Sequence, residues 1–453
     1  MGEFFSIEKP SFSGYNSEVK KLLKKLVPRF IFSWYYYLWA WGGAIIHRRP
    51  SRKMVVVGVT GTKGKTSAIN FIWSALSAGG IKTGLISTAN IRIGEKEYLN
   101  PYHMTMPGRF TIQNWMAQMA RSGCRYCLVE TTSEGIKQSR HIGIVYDIAV
   151  FTNLTPEHLS AHGGNFDKYK EAKGKLFKKL SSKHKKIDGQ KIEKIIIANA
   201  DDAHADYFLS FSADKKITYG IEKGADCLAE NIKVKKDGVS FGLLGRQFNL
   251  GITGQFNVSN ALPAIIIARL AGVPDDAISK GLENLKVIPG RMEEIDEGQD
   301  FRVFVDYAHE KEGMTKVLET AREIKEGGGQ IVVLLGAEGG GRDKAKRPEM
   351  GEVSAKLADI VIVSNVDPYE DDPVPILEDI ACACEKNGKI RDKNLFVIED
   401  RRGGIKKALS LGKKGDIILI TGKGAEQSIV IGGKRFPWDD RTVVREELGL
   451  VSW

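Results

Sequence analysis

Residues 54–59 (MVVVGV) limit the folds open to this chain more than any other stretch: a short β-branched run leads into a glycine-rich turn and then into the helical pattern of 65–78. Strand, loop and helix in that order form a phosphate cradle. In Gly58-Val-Thr-Gly61-Thr62-Lys63-Gly64-Lys65-Thr66 the glycines let backbone N–H groups approach phosphate oxygens, Lys65 suits the β/γ-phosphates and the Thr66 hydroxyl suits Mg²⁺. The spacing departs from the strict Walker consensus, because Val59 stands where its first glycine would be. A glycine-rich turn that binds no nucleotide is the plain alternative, and the flanking strand and helix weigh against it.

Strand-like runs at 83–88, 126–130, 147–151 and 194–198 alternate with helical stretches, which predicts an α/β unit with an open, mostly parallel sheet over 53–288. After Val287-Ile288-Pro289-Gly290 the alternation restarts at 301–306, 330–336, 359–364, 394–398 and 415–420. A second, Rossmann-like α/β unit is expected over 289–453, with a short helical, aromatic segment at 1–52.

The chain has 453 residues, 42% hydrophobic, enough for two or three cores. Its five cysteines lack the paired histidines or second Cys-x-x-Cys of a zinc site and read as reduced, structural thiols. The net charge of +11 is scattered and not gathered into an aromatic-interleaved patch, so nucleic acid is not the expected partner and anionic small substrates are. Residues 30–46 (FIFSWYYYLWAWGGAII) complicate a plain soluble reading. They follow Lys20, Lys21, Lys24, Lys25 and Arg29 and precede Arg48 and Arg49, yet sit at the lower length limit for crossing a bilayer. No small-residue cleavage site follows, which argues against a signal peptide. A helix packed on the protein body and an interfacial membrane contact both stay open.

Several blocks carry a family likeness: GVTGTKGKTS (58–67), VETTSEG (129–135), FTNLTPEHLSAH (151–162), YKEAKGKLF (169–177), GITGQFNVSNALPA (251–264), VIPGRMEEI (287–295), VDYAH (305–309), GGGRDKAKRPEMG (339–351) and GKGAE (422–426). In this order they resemble the Mur ligases, most of all the branch that synthesises UDP-N-acetylmuramoyl-tripeptide. The resemblance implies an ATP- and Mg²⁺-dependent ligase of the peptidoglycan pathway, cytoplasmic and monomeric. It would add diaminopimelate or lysine to UDP-N-acetylmuramoyl-L-alanyl-D-glutamate through an acyl phosphate. The resemblance also implies roles. Gly61, Thr62, Lys63, Gly64, Lys65, Thr66, Asn257, Asn260, Arg291, Asp306 and His309 would bind ATP, and Thr66, Glu130 and His158 the metal. Lys65, Glu130, His158 and Lys173 would be catalytic, with Lys173 carbamylated by CO₂. Thr105, Thr132, Ser133, Arg140, Arg342, Asp367, Tyr369, Gly422 and Glu426 would bind the acceptor and the incoming amino acid. Taken alone, Lys173 reads as a solvated helix charge, Glu130 with His158 as a buried ion pair, and Asn257 and Asn260 as helix caps.

Three departures from the family pattern bear on specificity. Residues 1–52 resemble no part of the family's uridine-gripping N-terminal domain, which leaves uridine recognition open and admits a lipid-linked or shortened precursor. Val366-Asp367-Pro368-Tyr369 replaces an Asp-Asn-Pro-Arg run whose arginine forks onto the far carboxylate of diaminopimelate, and a tyrosine supplies no such fork. Ala425 stands where the family has histidine, while Glu426, expected to hold the amino group, is kept. A folylpolyglutamate synthase-like ligase and a membrane-associated nucleotide-binding scaffold without turnover are the rival readings. His103-Met-Thr-Met-Pro107 and Asp306-Tyr-Ala-His309 favour the cell-wall branch over the first, and Glu130, His158 and Lys173 favour an enzyme over the second.

Overall fold

The structure is a computed structural model, and it describes residues 29–449 apart from 103, 158, 182–183 and 223. The strand Val55–Thr60 is buried along its whole length, as expected of a β-branched run covered by helices on both faces. It lies inside an eleven-stranded sheet, between Tyr126–Glu130 on one side and Ile148–Phe151 on the other, parallel to both. The parallel run continues outward through Ile195–Asn199, Lys215–Gly220 and Cys227–Lys235 on one flank and Thr83–Ile86 on the other.

Antiparallel strands finish both edges, Asn90–Ile93 with Lys96–Leu99 at one and Gly238–Leu243 with Arg246–Leu250 at the other. Neither pair belongs to the mostly parallel pattern read from the sequence. At 90–99 and 238–250 glycine and charged residues break the sequence into short pieces, without the long β-branched run that marks the central parallel strands.

The loop helix Lys65–Ala78 packs against Phe256–Leu270 and Asp275–Asn284. Gly281 permits the approach, since a Cβ there would stand 2.7 Å from the Ser74 carbonyl, and the Ser74 hydroxyl donates to Gly281 O at 2.6 Å. The anchored helix cannot drift, so the loop preceding it has one geometry.

A second sheet of six strands runs in the order Glu293–Ile295, Arg302–Asp306, Ile417–Thr421, Ile331–Leu335, Ile360–Val363, Leu395–Val397, parallel except at its first pairing. Arg401 fastens its helical layer. Fully buried, its guanidinium forks onto Asp440 at 2.8 and 2.6 Å and donates to the carbonyls of Asn365 and Thr421. In both sheets the carboxyl ends of the parallel strands open onto one shared cleft, where open α/β sheets bind ligands.

Candidate active site

The cleft has a volume of about 780 Å³. On its first wall the loop after Val55–Thr60 turns through Gly61 at φ 152° and Gly64 at φ 78°. Both must be glycine for space as well as for angle: a Cβ would meet Thr152 Oγ1 at 1.9 Å in the first case and Asn260 Oδ1 at 2.1 Å in the second. Thr62 N donates to Asn153 O and Lys63 N to Asn153 Oδ1, both at 2.8 Å, which ties the loop to the neighbouring strand end.

Thr66 and Glu130 come together although the sequence separates them widely. The Thr66 hydroxyl donates to Glu130 Oε2 at 2.9 Å, and Thr88 adds its N–H to the same oxygen at 2.8 Å and its hydroxyl to Oε1 at 3.0 Å. Thr105 closes the chain of hydroxyls, 2.8 Å from Thr88 Oγ1. These are hard oxygen donors facing a phosphate loop, a set that fits Mg²⁺. Among the described residues no group of three or more His, Cys, Asp or Glu side chains could hold a metal, and His158 lies outside them.

Lys173 is not a solvated helix charge. It sits 2% exposed on the helix Phe166–Lys178, its ammonium 2.6 Å from Gly61 O and 4.5 Å from the centre of the Tyr169 ring. Burial, reinforced by Lys65, pushes its pKa well below the ordinary lysine value. Burial lowers Lys65 as well, against the pull of Glu130 and Glu157. The helix is amphipathic, and position 173 falls on its inward face with Tyr169 and Leu176, a spacing legible in the sequence.

The second wall brings Arg291, whose Nη2 reaches Thr66 Oγ1 at 3.2 Å while its guanidinium lies 4.5 Å from the Tyr307 ring centre. Asp306 accepts from Met292 N and Ala308 N, both at 2.7 Å, and burial raises its pKa. His309 Nδ1 is 2.7 Å from Tyr307 O, and its Nε2 lies 3.6 Å from Glu157 across the cleft. Lys63 bridges the same gap, 3.0 Å from Glu157 and 2.8 Å from Glu310.

Toward the far end, Glu338 pairs with Lys346 at 3.3 Å. Burial would raise its carboxyl, but Lys346, Arg342 and His309 outweigh that and hold it at about 2. Arg342 and Tyr369 are hydrogen-bonded to each other, and the Tyr369 backbone is left-handed at φ 58°. Lys423, wholly buried, is shared between Asp367 and Glu426 at 2.8 Å each, and Glu426 also accepts from the Tyr307 hydroxyl at 3.2 Å.

Most of the residues expected from the sequence line this cleft: Gly61 through Thr66, Thr105, Glu130, Thr132, Ser133, Arg140, Lys173, Asn260, Arg291, Asp306, His309, Arg342 and Glu426. Asn257 and Asp367 are buried behind it, the first supporting Asn260 at 3.2 Å and the second acting on Glu426 through Lys423. Gly422 and Tyr369 stand outside the lining, Tyr369 behind Arg342. Sequence reasoning missed Thr88, Asn153, Glu157, Tyr169, Glu310 and Glu338. Glu157 and Tyr169 lie inside quoted blocks, whereas Thr88 and Glu310 stand at strand and helix ends with no local signal.

Comparison with known proteins agrees with this construction. Residues 59–268 match the Mur ligase middle domain, and residues 290–424 match the Mur ligase glutamate ligase domain. The UDP-N-acetylmuramyl-tripeptide synthetase of Roseiflexus sp. (strain RS-1) is 37% identical over 418 residues, covering 90% of this chain and 81% of that protein. The UDP-N-acetylmuramoyl-L-alanyl-D-glutamate--2,6-diaminopimelate ligase 1 of Clostridium acetobutylicum is 35% identical over 410 residues, covering 89% and 80%. A solved 2,6-diaminopimelate ligase of the same name aligns with a TM-score of 0.58 at 30% identity, over 88% of this chain and 78% of that one. Folylpolyglutamate synthase of Mycobacterium tuberculosis, at 18% identity, shares the fold with a TM-score of 0.66 over 89% and 95%. The protein is thus an ATP-dependent ligase that forms amide bonds. It belongs to the Mur ligase family, and its relatives build peptidoglycan precursors.

Proposed function

We propose that this ligase joins diaminopimelate or lysine to the D-glutamate carboxylate of UDP-N-acetylmuramoyl-L-alanyl-D-glutamate, converting ATP to ADP and phosphate. One arrangement supports this above all. A single cleft sets the phosphate loop, the Thr66–Glu130 oxygen pair and Lys173 opposite Arg291, Arg342 and Glu426, in a chain 37% identical to a tripeptide synthetase.

The acceptor carboxylate attacks the γ-phosphorus and the bond to ADP breaks, leaving an acyl phosphate. The amine nitrogen then attacks the acyl carbon, phosphate departs and the nitrogen loses a proton. The backbone N–H groups of Gly64, Lys65 and Thr66 cradle the phosphates, and Lys65 and Arg291 offset their charge. Mg²⁺ would neutralise the phosphate oxygens further, with Thr66 serving one ion and Glu130 and His158 holding a second. In its neutral form, which burial favours, the Lys173 nitrogen bonds to the carbon of CO₂ and gives up a proton to solvent. The resulting carbamate places an anion beside the metal position.

Asn260, supported from behind by Asn257, holds the nucleoside together with Asp306 and His309, and Thr105, Thr132, Ser133 and Arg140 hold the acceptor. Glu426, paired with Lys423 at 2.8 Å, receives the amino group of the incoming amino acid, with Arg342 on its carboxylate. Asp367, Tyr369 and Gly422 shape that end from behind.

Phosphate release from ATP with UDP-N-acetylmuramoyl-L-alanyl-D-glutamate, run in parallel with L-lysine and meso-diaminopimelate, tests the reading. Release that requires both the nucleotide peptide and one amino acid supports it. No release with either amino acid overturns it in favour of another acceptor.

A further inference from the structure

The helix Arg29–Ile46 has two apolar faces, and among the described residues only one of them packs against the body. Ala40 and Ala44 are buried against the body, and a Cβ on Gly43 would press on Phe110 at 3.4 Å. Ala44 Cβ stands 2.7 Å from where a Cβ on Gly143 would lie, so the two backbones meet closely. Arg109 stacks over the Tyr36 ring at 3.9 Å, and Trp39 lies 5.0 Å from Phe110. These contacts fix which way the helix faces.

Its outer face carries Trp34 at 62% exposure, Leu38 at 62%, Ile45 at 57% and Ile46 at 67%, with Tyr37 beside them. Trp34, Leu38 and Ile45 follow the four-and-seven spacing of a single helical stripe. A helix side facing water ordinarily carries charge. This one carries none between Arg29 and His47.

The surroundings are basic. Arg48, Arg49, Arg52 and Lys53 are exposed directly after the helix, and Lys179 lies within electrostatic reach of Tyr37. From Val19 to Gly94 the sequence contains no aspartate or glutamate, while Lys20, Lys21, Lys24 and Lys25 precede the helix. No helix among the described residues is long and apolar enough to cross a membrane. An apolar stripe rich in tryptophan and tyrosine, held by its back face and rimmed by cations, matches the interface of an anionic bilayer.

We infer that the ligase docks on anionic lipid surfaces through the outer face of Arg29–Ile46, with Trp34, Leu38 and Ile45 entering the headgroup layer and the flanking arginines meeting lipid phosphates. The inference does not depend on which acceptor the cleft takes.

Flotation of the full chain with vesicles of phosphatidylcholine containing one-third phosphatidylglycerol, against phosphatidylcholine alone, tests it. Binding is expected to the anionic vesicles, weakened by salt, with quenching of tryptophan emission by brominated lipid. The triple variant Trp34→Gln, Leu38→Gln, Ile45→Gln should lose at least tenfold in binding and keep its phosphate-release rate in solution. Failure to bind anionic vesicles overturns the proposal. So does binding that the triple variant retains, or a dimer in sedimentation that the triple variant abolishes, which would assign the face to a second copy.

Discussion

Lys63 joins the two sheets, and neutralising its partner on the second sheet measures what that junction contributes. The Lys63 ammonium lies 2.8 Å from Glu310 and 3.0 Å from Glu157, with the three side chains between 11% and 20% exposed. At an effective dielectric of about 20, a charge pair at this distance is attracted by about 6 kcal/mol before desolvation is counted. Desolvation opposes it, and a glutamine keeps the hydrogen bond. Glu310→Gln should therefore cost the closed cleft roughly 2–3 kcal/mol, or about 30- to 150-fold in the closing equilibrium. The substitution leaves the helix intact, because Glu310 also caps Lys311–Ile324 by accepting from Gly313 N at 2.7 Å, and a glutamine oxygen accepts equally. Glu312→Gln is the control, since Glu312 pairs with Lys316 on its own helix. Small-angle scattering should show Glu310→Gln expanded and the control unchanged, and kcat/KM for ATP should fall at least tenfold in the first alone. Burial would raise the Glu310 carboxyl, but Lys63 outweighs burial and leaves it below its ordinary value; burial would lower Lys63, and the two carboxylates outweigh that in turn. With Glu310 depressed, its contribution is present above the ordinary carboxylate range and is lost only as pH falls through the depressed value. The difference between variant and parent should accordingly be flat through neutral pH. A Glu310→Gln enzyme with parental scattering and kcat/KM within twofold would refute this account of closure.

Lys173→Ala should lower phosphate release at least a hundredfold, with partial recovery on adding a short carboxylic acid; turnover at the parental rate would remove the carbamate from the mechanism. Gly64→Ala must adopt φ 78° and meet Asn260 Oδ1 at 2.1 Å, so backbone strain of about 1–2 kcal/mol adds to a clash that Asn260→Ala should relieve in the double variant, read as thermal midpoints. Arg401→Met leaves Asp440 buried without its guanidinium and should cost about 3–5 kcal/mol in urea unfolding, with Trp438 Nε1, 2.8 Å from Asp440, its remaining charge-assisted partner there. Tyr369→Phe leaves Arg342 with Glu338 but without its tyrosine partner, and should raise KM for the amino acid while leaving KM for ATP unchanged.

The sequence announces the parts of this molecule whose local pattern and tertiary role coincide. Val55–Thr60 is apolar because it is buried on both sides, and the loop behind it carries glycines because Thr152 and Asn260 leave no room for Cβ. The central strands and the helix Lys65–Ala78 were legible for that reason. The antiparallel edges were not, because short strands broken by glycine and charged residues share their composition with loops. Within the site, positions were readable through family likeness where blocks are contiguous. Thr88 and Glu310 act through partners distant in sequence, Glu130 for one and Lys63 for the other, and no local pattern encodes such pairings. Lys173 shows the reverse error: a lysine on a charged helix reads as solvated, and only the inward periodicity of Tyr169, Lys173 and Leu176 hints at burial.

Lys173 also explains how the electrostatics of the cleft can be satisfied. Lys63, Lys65, Lys173 and Arg291 gather around Glu130 and Glu157, and burial works against a charge on both Lys65 and Lys173. Lys65 is the largest neighbouring charge depressing Lys173, so the two cannot both be ammonium ions without mutual cost. Converting Lys173 to a carbamate replaces the competing cation with an anion. That change would favour the charged form of Lys65 where it must meet phosphate. The modification would thus act twice, supplying an anion to the metal position and removing a cation from beside Lys65, and its loss should weaken ATP binding as well as slow the chemistry.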